Sequence, residues 1–306
     1  KLIVGISPGL DFNFREFSKS NINNIKSKDL DILINKISFF IDKGLNNIAL
    51  LFDDLPNNFI QDFGYDLSEG ESHARLINTI SSYFKIPIFS VPRIYANELT
   101  YENKNYLNDF GNTINNKNIT FFCGEHIVSK TIDIKMVKNI TKIIKTRIII
   151  WDNYYSNDYC PRKFFVGPLT GRKKINNIMI NPTGLIETDL LILDIFKSTK
   201  DLSSPRLIWK KILKSYDVPI EFLRISNFFL KPDFSSTPKL NSFKINKKHF
   251  EYLDFLLWKW KNPLSREWYP FLLGLKQDLQ ILKNNFTKER IIKTQTKSLA
   301  TYIINK

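Results

Sequence analysis

The 306-residue chain contains few residues of the types that build disulfide and metal sites. Its two cysteines, Cys123 and Cys160, form no close pair, and its three histidines, His73, His126 and His249, lack metal-ligand spacing. These shortages argue against a disulfide framework, a thiolate metal site and a histidine metal site. Long apolar runs are also missing, since none reaches the length of a membrane span.

The composition is nevertheless that of a folded protein. Hydrophobic residues make up 43% and aromatic residues 14% of the chain, enough for a full core in one large domain or in one domain plus a smaller one. The formal charge is +15, but the lysines are scattered and form no arginine-rich stripe or basic helix. A composition rich in Lys, Asn and Ile, as an AT-biased genome gives, explains this charge equally well, and we do not expect nucleic-acid binding.

Short apolar runs alternate with helix-like segments through the first two thirds of the chain. The runs predict buried strands, and the spacing of apolar residues between them predicts amphipathic helices. The predicted strands are 2–6, 48–52, 86–91, 119–123, 147–151 and 176–180, and the predicted helices are 22–43, 72–83 and 136–144. An asparagine-rich polar loop is expected before residue 119.

This alternation predicts a parallel α/β sheet, and polar residues at the strand ends favour a (β/α)8 TIM-type barrel over residues 1–200. A complete barrel has eight strands. We therefore expect the six recognised strands to be strands three to eight, with two more preceding Lys1, where the chain opens inside a strand.

The rest of the chain, residues 201–306, has no strand signals and is expected to form an all-α helical bundle domain. The predicted helices are 205–216, 220–230, 250–260 and 268–282, with a linker-like segment at 231–242. Trp258, Trp260 and Trp268 have helical spacing, which indicates core packing more often than a sugar or peptide site.

Two adjacent carboxylates, Asp53 and Asp54, follow the apolar run 48–52. Alone, such a pair indicates a helix N-cap or a turn. Two later strand ends carry comparable residues, with Trp151 to Tyr159 after one strand and Asn181-Pro182 after another. In a barrel, strand ends of this kind converge on one pocket, and carboxylates, amides and an aromatic wall suit a sugar.

These motifs resemble those of glycoside hydrolase family 84, which comprises O-GlcNAcases and bacterial β-N-acetylglucosaminidases. The similarity covers about residues 1–200 and keeps the family's order and spacing. The matching segments are 7–11, 49–54, 128–130, 151–159, 167–168, 171–172 and 181–182. The resemblance implies a retaining exo-β-N-acetylglucosaminidase that needs no cofactor and acts on a GlcNAc-containing glycoconjugate or glycoprotein.

The family's mechanism uses the 2-acetamido group of the substrate as nucleophile, passing through an oxazoline, which is an exception to the scheme with a carboxylate nucleophile. By motif, the resemblance implies that Asp53 orients the acetamido group and that Asp54 is the general acid and base. Substrate binding falls to five further positions by the same resemblance. They are Tyr95 at the oxazoline, Trp151 at the acetamido pocket, Asn153 on the sugar, and Asp158 and Asn181 on the O4 and O6 hydroxyls.

The sequence also departs from the family. Cys123-Gly124-Glu125-His126 replaces a Trp-Thr-Gly type segment, and Arg93-Ile94 stands before Tyr95 where relatives carry Thr-Glu. A glycine-rich loop and a lysine on the family's first two strands have no counterpart. The alternative is therefore a catalytically inactive sugar-binding relative or an inactive fragment. The sequence assigns no aglycone, compartment or oligomeric state.

Overall fold

A computed structural model describes residues 2–18, 27–53, 55, 63, 67–158, 164–172, 174–198, 204–230 and 245–283. These residues fall into two compact units. The sheet unit comprises Lys1–Asp152 with Lys174–Met179, and the helical unit comprises Asn153–Lys173 with Ile180–Lys306.

The described strands form one six-stranded sheet in which every strand pairs with its neighbours in sequence order. The pairs from the first strand to the fifth are parallel, and Ala49 lies opposite both Gly5 and Phe89. The strands are β1 (Val4–Ile6), β2 (Ile48–Leu51), β3 (Phe89–Val91), β4 (Ile119–Phe122), β5 (Arg147–Asp152) and β6 (Ile178–Ile180). The predicted parallel α/β sheet is thus confirmed. Every strand except β5 is shorter than the apolar run that predicts it, and β5 is one residue longer.

Helices alternate with these strands in the sheet unit. They are α1 (Phe14–Ser18), α2 (Lys28–Asp42), α3 (Glu69–Phe84), α4 (Tyr106–Thr113) and α5 (Ile134–Ile144). Helix α2 begins later than the predicted residue 22, because the Ser27 side chain caps it by accepting the Leu30 N–H. Residues 22–26 lie outside the described residues. Helix α3 begins with a capping box formed by Ser68 and Glu71.

Helix α4 corrects the prediction of a polar loop before residue 119. Its sequence has only a few apolar residues among asparagines, which have modest helix propensity, so the helical period is weak. Tertiary packing makes up the difference, since Tyr106 and Phe110 are completely buried. Gly111 lets α4 approach the backbone of Ile143, and Gly70 lets α3 approach the backbone of Tyr106.

The helical unit contains α6 (Ile186–Ser198), α7 (Pro205–Ser215), α8 (Ile220–Ile225), α9 (Lys247–Trp258) and α10 (Pro263–Lys283). Helix α6 was not predicted, and α10 begins earlier than predicted. The predicted linker at 231–242 lies outside the described residues. Trp260 and Trp268 are buried in the core of this unit, as predicted, whereas Trp258 is 54% exposed. The prediction of core packing from helical spacing was wrong for Trp258, because Trp258 is the last residue of α9.

A carboxylate of α10 caps the start of α6. Glu267 accepts the backbone N–H groups of Glu187 and Thr188, each at 2.9 Å, and the Thr188 hydroxyl at 2.7 Å. The indole N–H of Trp268 donates to the same hydroxyl at 2.8 Å. The first turn of α6 has unsatisfied N–H donors, and Glu267 supplies both acceptors and a negative charge there.

Replacing Gly111 by alanine tests the close contact of α4 with α5. A Cβ at this position overlaps the Ile143 carbonyl oxygen, so the two helices must separate. We expect Gly111→Ala to lower the free energy of unfolding by about 3 kcal/mol, although alanine is the better helix former. Urea denaturation measures the change. Asn139→Ala, at an exposed position of α5, is the control and should change stability by less than about 0.5 kcal/mol. Equal stability of the two variants would contradict the close contact.

Candidate active site

The predicted catalytic residue Asp53 lies at the carboxyl edge of the sheet. The backbone N–H of Phe52 donates to the Val91 carbonyl at 2.9 Å, so the chain stays paired with β3 one residue beyond β2. Phe52 is completely buried, and Asp53 is half-buried. Asp54, the predicted general acid, lies outside the described residues.

Two apolar layers on opposite faces of the sheet explain why these neighbours differ in burial. Leu50 and Phe52 belong to the large core that includes residues of α2, α3, α4 and α5. Ala49 and Leu51 belong to a smaller apolar cluster that contains no residue of these helices. Since strand side chains alternate between faces, Asp53 continues the row of Ala49 and Leu51.

Tyr95 and Trp151 both pack against this smaller cluster. The Tyr95 carbonyl accepts the backbone N–H of Cys123 at 2.7 Å, which holds the segment after β3 to the end of β4. Trp151 meets Phe121 edge-on, with ring centroids 5.5 Å apart and an interplanar angle of 89°. Asp53, Tyr95 and Trp151 are therefore placed at the carboxyl ends of β2, β3 and β5, on the face that carries the smaller cluster.

The remaining predicted residues lie in the helical unit. The Asn181 side-chain N–H donates to the Asn153 side-chain oxygen at 3.0 Å, so the structure brings these two amides together. Asp158 is exposed, and its carboxylate accepts the Ser156 hydroxyl at 2.6 Å. The residue before Ser156 is also hydrogen-bonded, since the Tyr155 hydroxyl donates to the Gly167 carbonyl at 2.8 Å. The roles of all these residues in sugar binding stay predictions.

Two loops at the carboxyl edge are joined through Glu98. Its carboxylate accepts the Ile127 N–H at 2.5 Å and lies 2.9 Å from His126 Nδ1. The backbone N–H of Asn97 donates to the Gly124 carbonyl at 2.9 Å. The segment Cys123 to His126, which departs from the family pattern, thus ties the loop after β4 to the loop that carries Tyr95.

Sequence reasoning missed a buried polar group behind the sheet edge. His73 of α3 is completely buried and lies 2.8 Å from the Tyr106 hydroxyl through Nδ1. Burial, and then the nearby positive charge of Arg93, lower the pKa of His73 to about 3. Its position three and four residues before Leu76 and Ile77 puts it on their buried helix face, a signal that the sequence does contain.

Arg93 is the second charged residue behind this edge. Its guanidinium forms ion pairs with Glu69, through Nε and Nη2, and with Glu102, 2.6 Å from Nη1. Because the arginine and both carboxylates are largely buried, the two acids offset the cost of burying one positive charge. Arg93, which the sequence analysis noted only as a departure from the family, therefore fixes the start of the loop after β3.

Among the described residues, no group of three or more His, Cys, Asp or Glu side chains is arranged to hold a metal ion. The described helices also include none with the length and apolar character needed to cross a membrane.

Comparison with known proteins identifies the family. The model of the NAGidase family, described as beta-N-acetylglucosaminidase, matches residues 1–189, which is more than half of the chain. The chain belongs to this glycosidase family. The resemblance seen in the sequence motifs is thereby confirmed.

Individual relatives agree with the family assignment. Protein O-GlcNAcase of Mus musculus is 29% identical over 193 residues, and that of Rattus norvegicus 28% identical over 193 residues. Each alignment covers 60% of this chain and 20% of the relative, so the chain spans about a fifth of the length of these proteins. A solved structure titled as a mutant O-GlcNAc hydrolase of Thermobaculum terrenum has a TM-score of 0.69 at 19% identity. The superposition covers 99% of this chain and 77% of the chain in that structure, which shows a shared fold.

The buried imidazole makes stability depend on pH. Between about pH 6.5 and pH 3, His73 takes up a proton in the unfolded chain but not in the folded one. The unfolded state then binds more protons, so stability falls as the pH is lowered, by about 1.4 kcal/mol per pH unit inside this window. Urea denaturation of wild type and His73→Phe between about pH 7 and pH 4 should show the steeper loss in wild type. Parallel curves would place the pH dependence in other groups.

Proposed function

We propose that the chain carries the catalytic region of a retaining exo-β-N-acetylglucosaminidase of the O-GlcNAcase type, which removes terminal β-linked GlcNAc by substrate-assisted catalysis. The observation that carries this proposal is the Asp53-Asp54 pair, which follows Phe52 just beyond the end of β2, in a chain that belongs to the β-N-acetylglucosaminidase family. The position of Asp53 at the carboxyl ends of parallel strands, where α/β barrels hold their active sites, supports it.

In the first step of the proposed reaction, the acetamido carbonyl oxygen of the substrate attacks C1 and the bond from C1 to the leaving oxygen breaks. Asp54 donates its proton to that oxygen, and Asp53 accepts a hydrogen bond from the acetamido N–H, which stabilises the positive charge of the forming oxazoline. In the second step, Asp54 takes a proton from water, and the water oxygen attacks C1. The oxazoline ring opens, and the sugar leaves with its configuration at C1 retained.

The other residues bind and orient the sugar in this proposal. In the sheet unit, the Tyr95 hydroxyl bonds to the oxazoline and the Trp151 ring forms a wall of the acetamido pocket, which suits their half-buried positions on the smaller apolar cluster. In the helical unit, Asn153 contacts the sugar, and Asp158 and Asn181 bind the O4 and O6 hydroxyls. Their side-chain oxygens and amide hydrogens are the groups that sugar hydroxyls pair with.

The proposed substrate is a GlcNAc-bearing glycoconjugate, and the rodent relatives named protein O-GlcNAcase favour a glycoprotein among the possible aglycones. We further propose that the six strands form part of a (β/α)8 barrel within residues 1–200 and that residues 201–306 form a helical bundle domain. The sequential order of the parallel strands supports the barrel, since neighbours in a barrel follow one another along the chain.

The role of Asp54 is tested by the leaving group of the substrate. Proton donation matters little when the leaving group is already a stable anion and a great deal when it is a sugar or serine hydroxyl. We expect Asp54→Asn in the full-length protein to lower kcat about 10²- to 10⁴-fold for poor leaving groups, and much less for an activated aryl N-acetylglucosaminide.

Steady-state kinetics on both substrates measure this difference. The control is Asp42→Asn, which makes the same change at an exposed position in α2. The other aspartate at a strand end, Asp152, is buried and is therefore not used as the control. Equal losses on the two substrates would remove Asp54 from the acid role, and an inactive wild type would favour the sugar-binding alternative.

The role of Asp53 is tested by a bicyclic thiazoline mimic of the oxazoline. Since Asp53 is proposed to accept a hydrogen bond from the acetamido N–H as positive charge develops, Asp53→Asn should weaken both turnover and binding of the mimic. A charged hydrogen bond of this kind contributes about 1.5 to 3 kcal/mol, which is roughly a 10- to 150-fold change in Kd. Calorimetric titration gives the Kd values. An unchanged Kd with reduced turnover would assign Asp53 a role other than orienting the acetamido group.

A further inference from the structure

A buried imidazole lies directly behind the residue that precedes the proposed catalytic pair. The ring of His73 stacks on the ring of Phe52, with centroids 4.1 Å apart and an interplanar angle of 14°. Phe14 and Phe63 approach the same imidazole at 5.2 and 5.6 Å between centroids. Phe52 therefore has an ordered aromatic surface behind it, and its backbone leads straight into Asp53.

The same imidazole is linked to the end of the next strand. Its Nδ1 lies 2.8 Å from the Tyr106 hydroxyl oxygen, which accepts the backbone N–H of Arg93 at 3.0 Å. Arg93 stands two residues before Tyr95, and its guanidinium is held by Glu69 at the start of α3. One side chain of α3 thus contacts the segment that carries Asp53 and, through a single hydroxyl, the segment that carries Tyr95.

Packing alone does not explain a histidine at this position. Among the described residues, His73 Nε2 is a buried nitrogen without a hydrogen-bond partner, which has a free-energy cost that phenylalanine avoids. The property that phenylalanine lacks is Nδ1. The Tyr106 oxygen already accepts the Arg93 N–H, so its own hydrogen is available to Nδ1, and the network assigns Nδ1 as the acceptor of a neutral imidazole.

We propose that His73 is a positioning residue for the reaction, which sets the Phe52-Asp53 segment and the Arg93-Tyr95 segment relative to each other through its stacked ring and its Nδ1 atom. The inference rests on the proposed function, because positioning matters only if Asp53 and Tyr95 act on one substrate. It needs no contact between His73 and the sugar. An error of about 1 Å in the placement of reacting groups is enough to cost roughly 10²-fold in rate.

Two substitutions isolate this role. His73→Phe keeps a ring to stack on Phe52 but removes Nδ1, and Tyr106→Phe removes the shared hydroxyl but keeps the buried ring. The control is Thr146→Val, which breaks a buried hydrogen bond of 2.8 Å between Thr146 and Thr120 at the amino end of β5, away from the carboxyl edge. It damages the same unit of the fold without touching the proposed site.

Melting temperature, kcat and KM for an aryl N-acetylglucosaminide, and Kd for the thiazoline mimic are measured for each variant of the full-length protein. We expect His73→Phe and Tyr106→Phe to lower kcat about 10- to 100-fold and to weaken the mimic, with KM changing only about threefold or less. Thr146→Val should lower the melting temperature by a similar amount and leave kcat near wild type.

The results separate this inference from the function on which it rests. If all three variants lose kcat in proportion to their loss of melting temperature, His73 has only a structural role and the inference is wrong, while the proposed function stands. If wild type is inactive and does not bind the mimic, the proposed function fails and the inference with it. Should His73→Phe not fold, Tyr106→Phe decides, because an unchanged kcat there overturns the coupling of the two strand ends.

Discussion

The alternation of side chains along parallel strands is the constraint on which the rest of the sheet unit depends. In β2 it sends Leu50, and then Phe52 beyond the strand, into the helix-facing core, while Ala49 and Leu51 line the opposite face. Asp53 follows in the second row, so Phe52 anchors the chain in the core while the half-buried Asp53 continues on the opposite face. A shift of register by one residue would exchange these two environments.

This division gives the two faces of the sheet different demands. The helix-facing side is a thick core that tolerates a buried imidazole and an arginine only because aromatic rings and two glutamates surround them. The other face has a thin apolar layer with Tyr95 and Trp151 at its rim. Residues of the same strand therefore belong to two different environments, a large core on one face and a small cluster on the other.

Much of the fold could be predicted because apolar runs such as that at Ile48 and helical spacing such as that of Leu76 and Ile77 are local signals. Helix α4 could not, since its formation depends on Tyr106 and Phe110 being buried by partners distant in sequence. The early start of α10 at Pro263 was missed for a different reason, because proline suits the first turn of a helix but resembles a break in the sequence.

The candidate site divides in the same way. Motifs were enough to propose Asp53, Tyr95 and Trp151. Each of them follows or closes a strand, and the end of an apolar run predicts a strand end from sequence alone. The link from His73 through Tyr106 to Arg93 joins residues whose only shared property is spatial, so no motif contains it. Motifs therefore indicate candidate substrate-binding residues more readily than contacts between residues that are distant in sequence.

The carboxylate of Glu267 at the start of α6 has a consequence for how the helical unit folds. The acceptor of the first N–H groups of α6 lies 80 residues further along the chain, so this helix end lacks its capping carboxylate until α10 has formed and docked. Closing so long a loop is slow and entropically costly compared with forming a local turn. During synthesis, α6 emerges well before Glu267, so its first turn can be capped by this carboxylate only after α10 has been made.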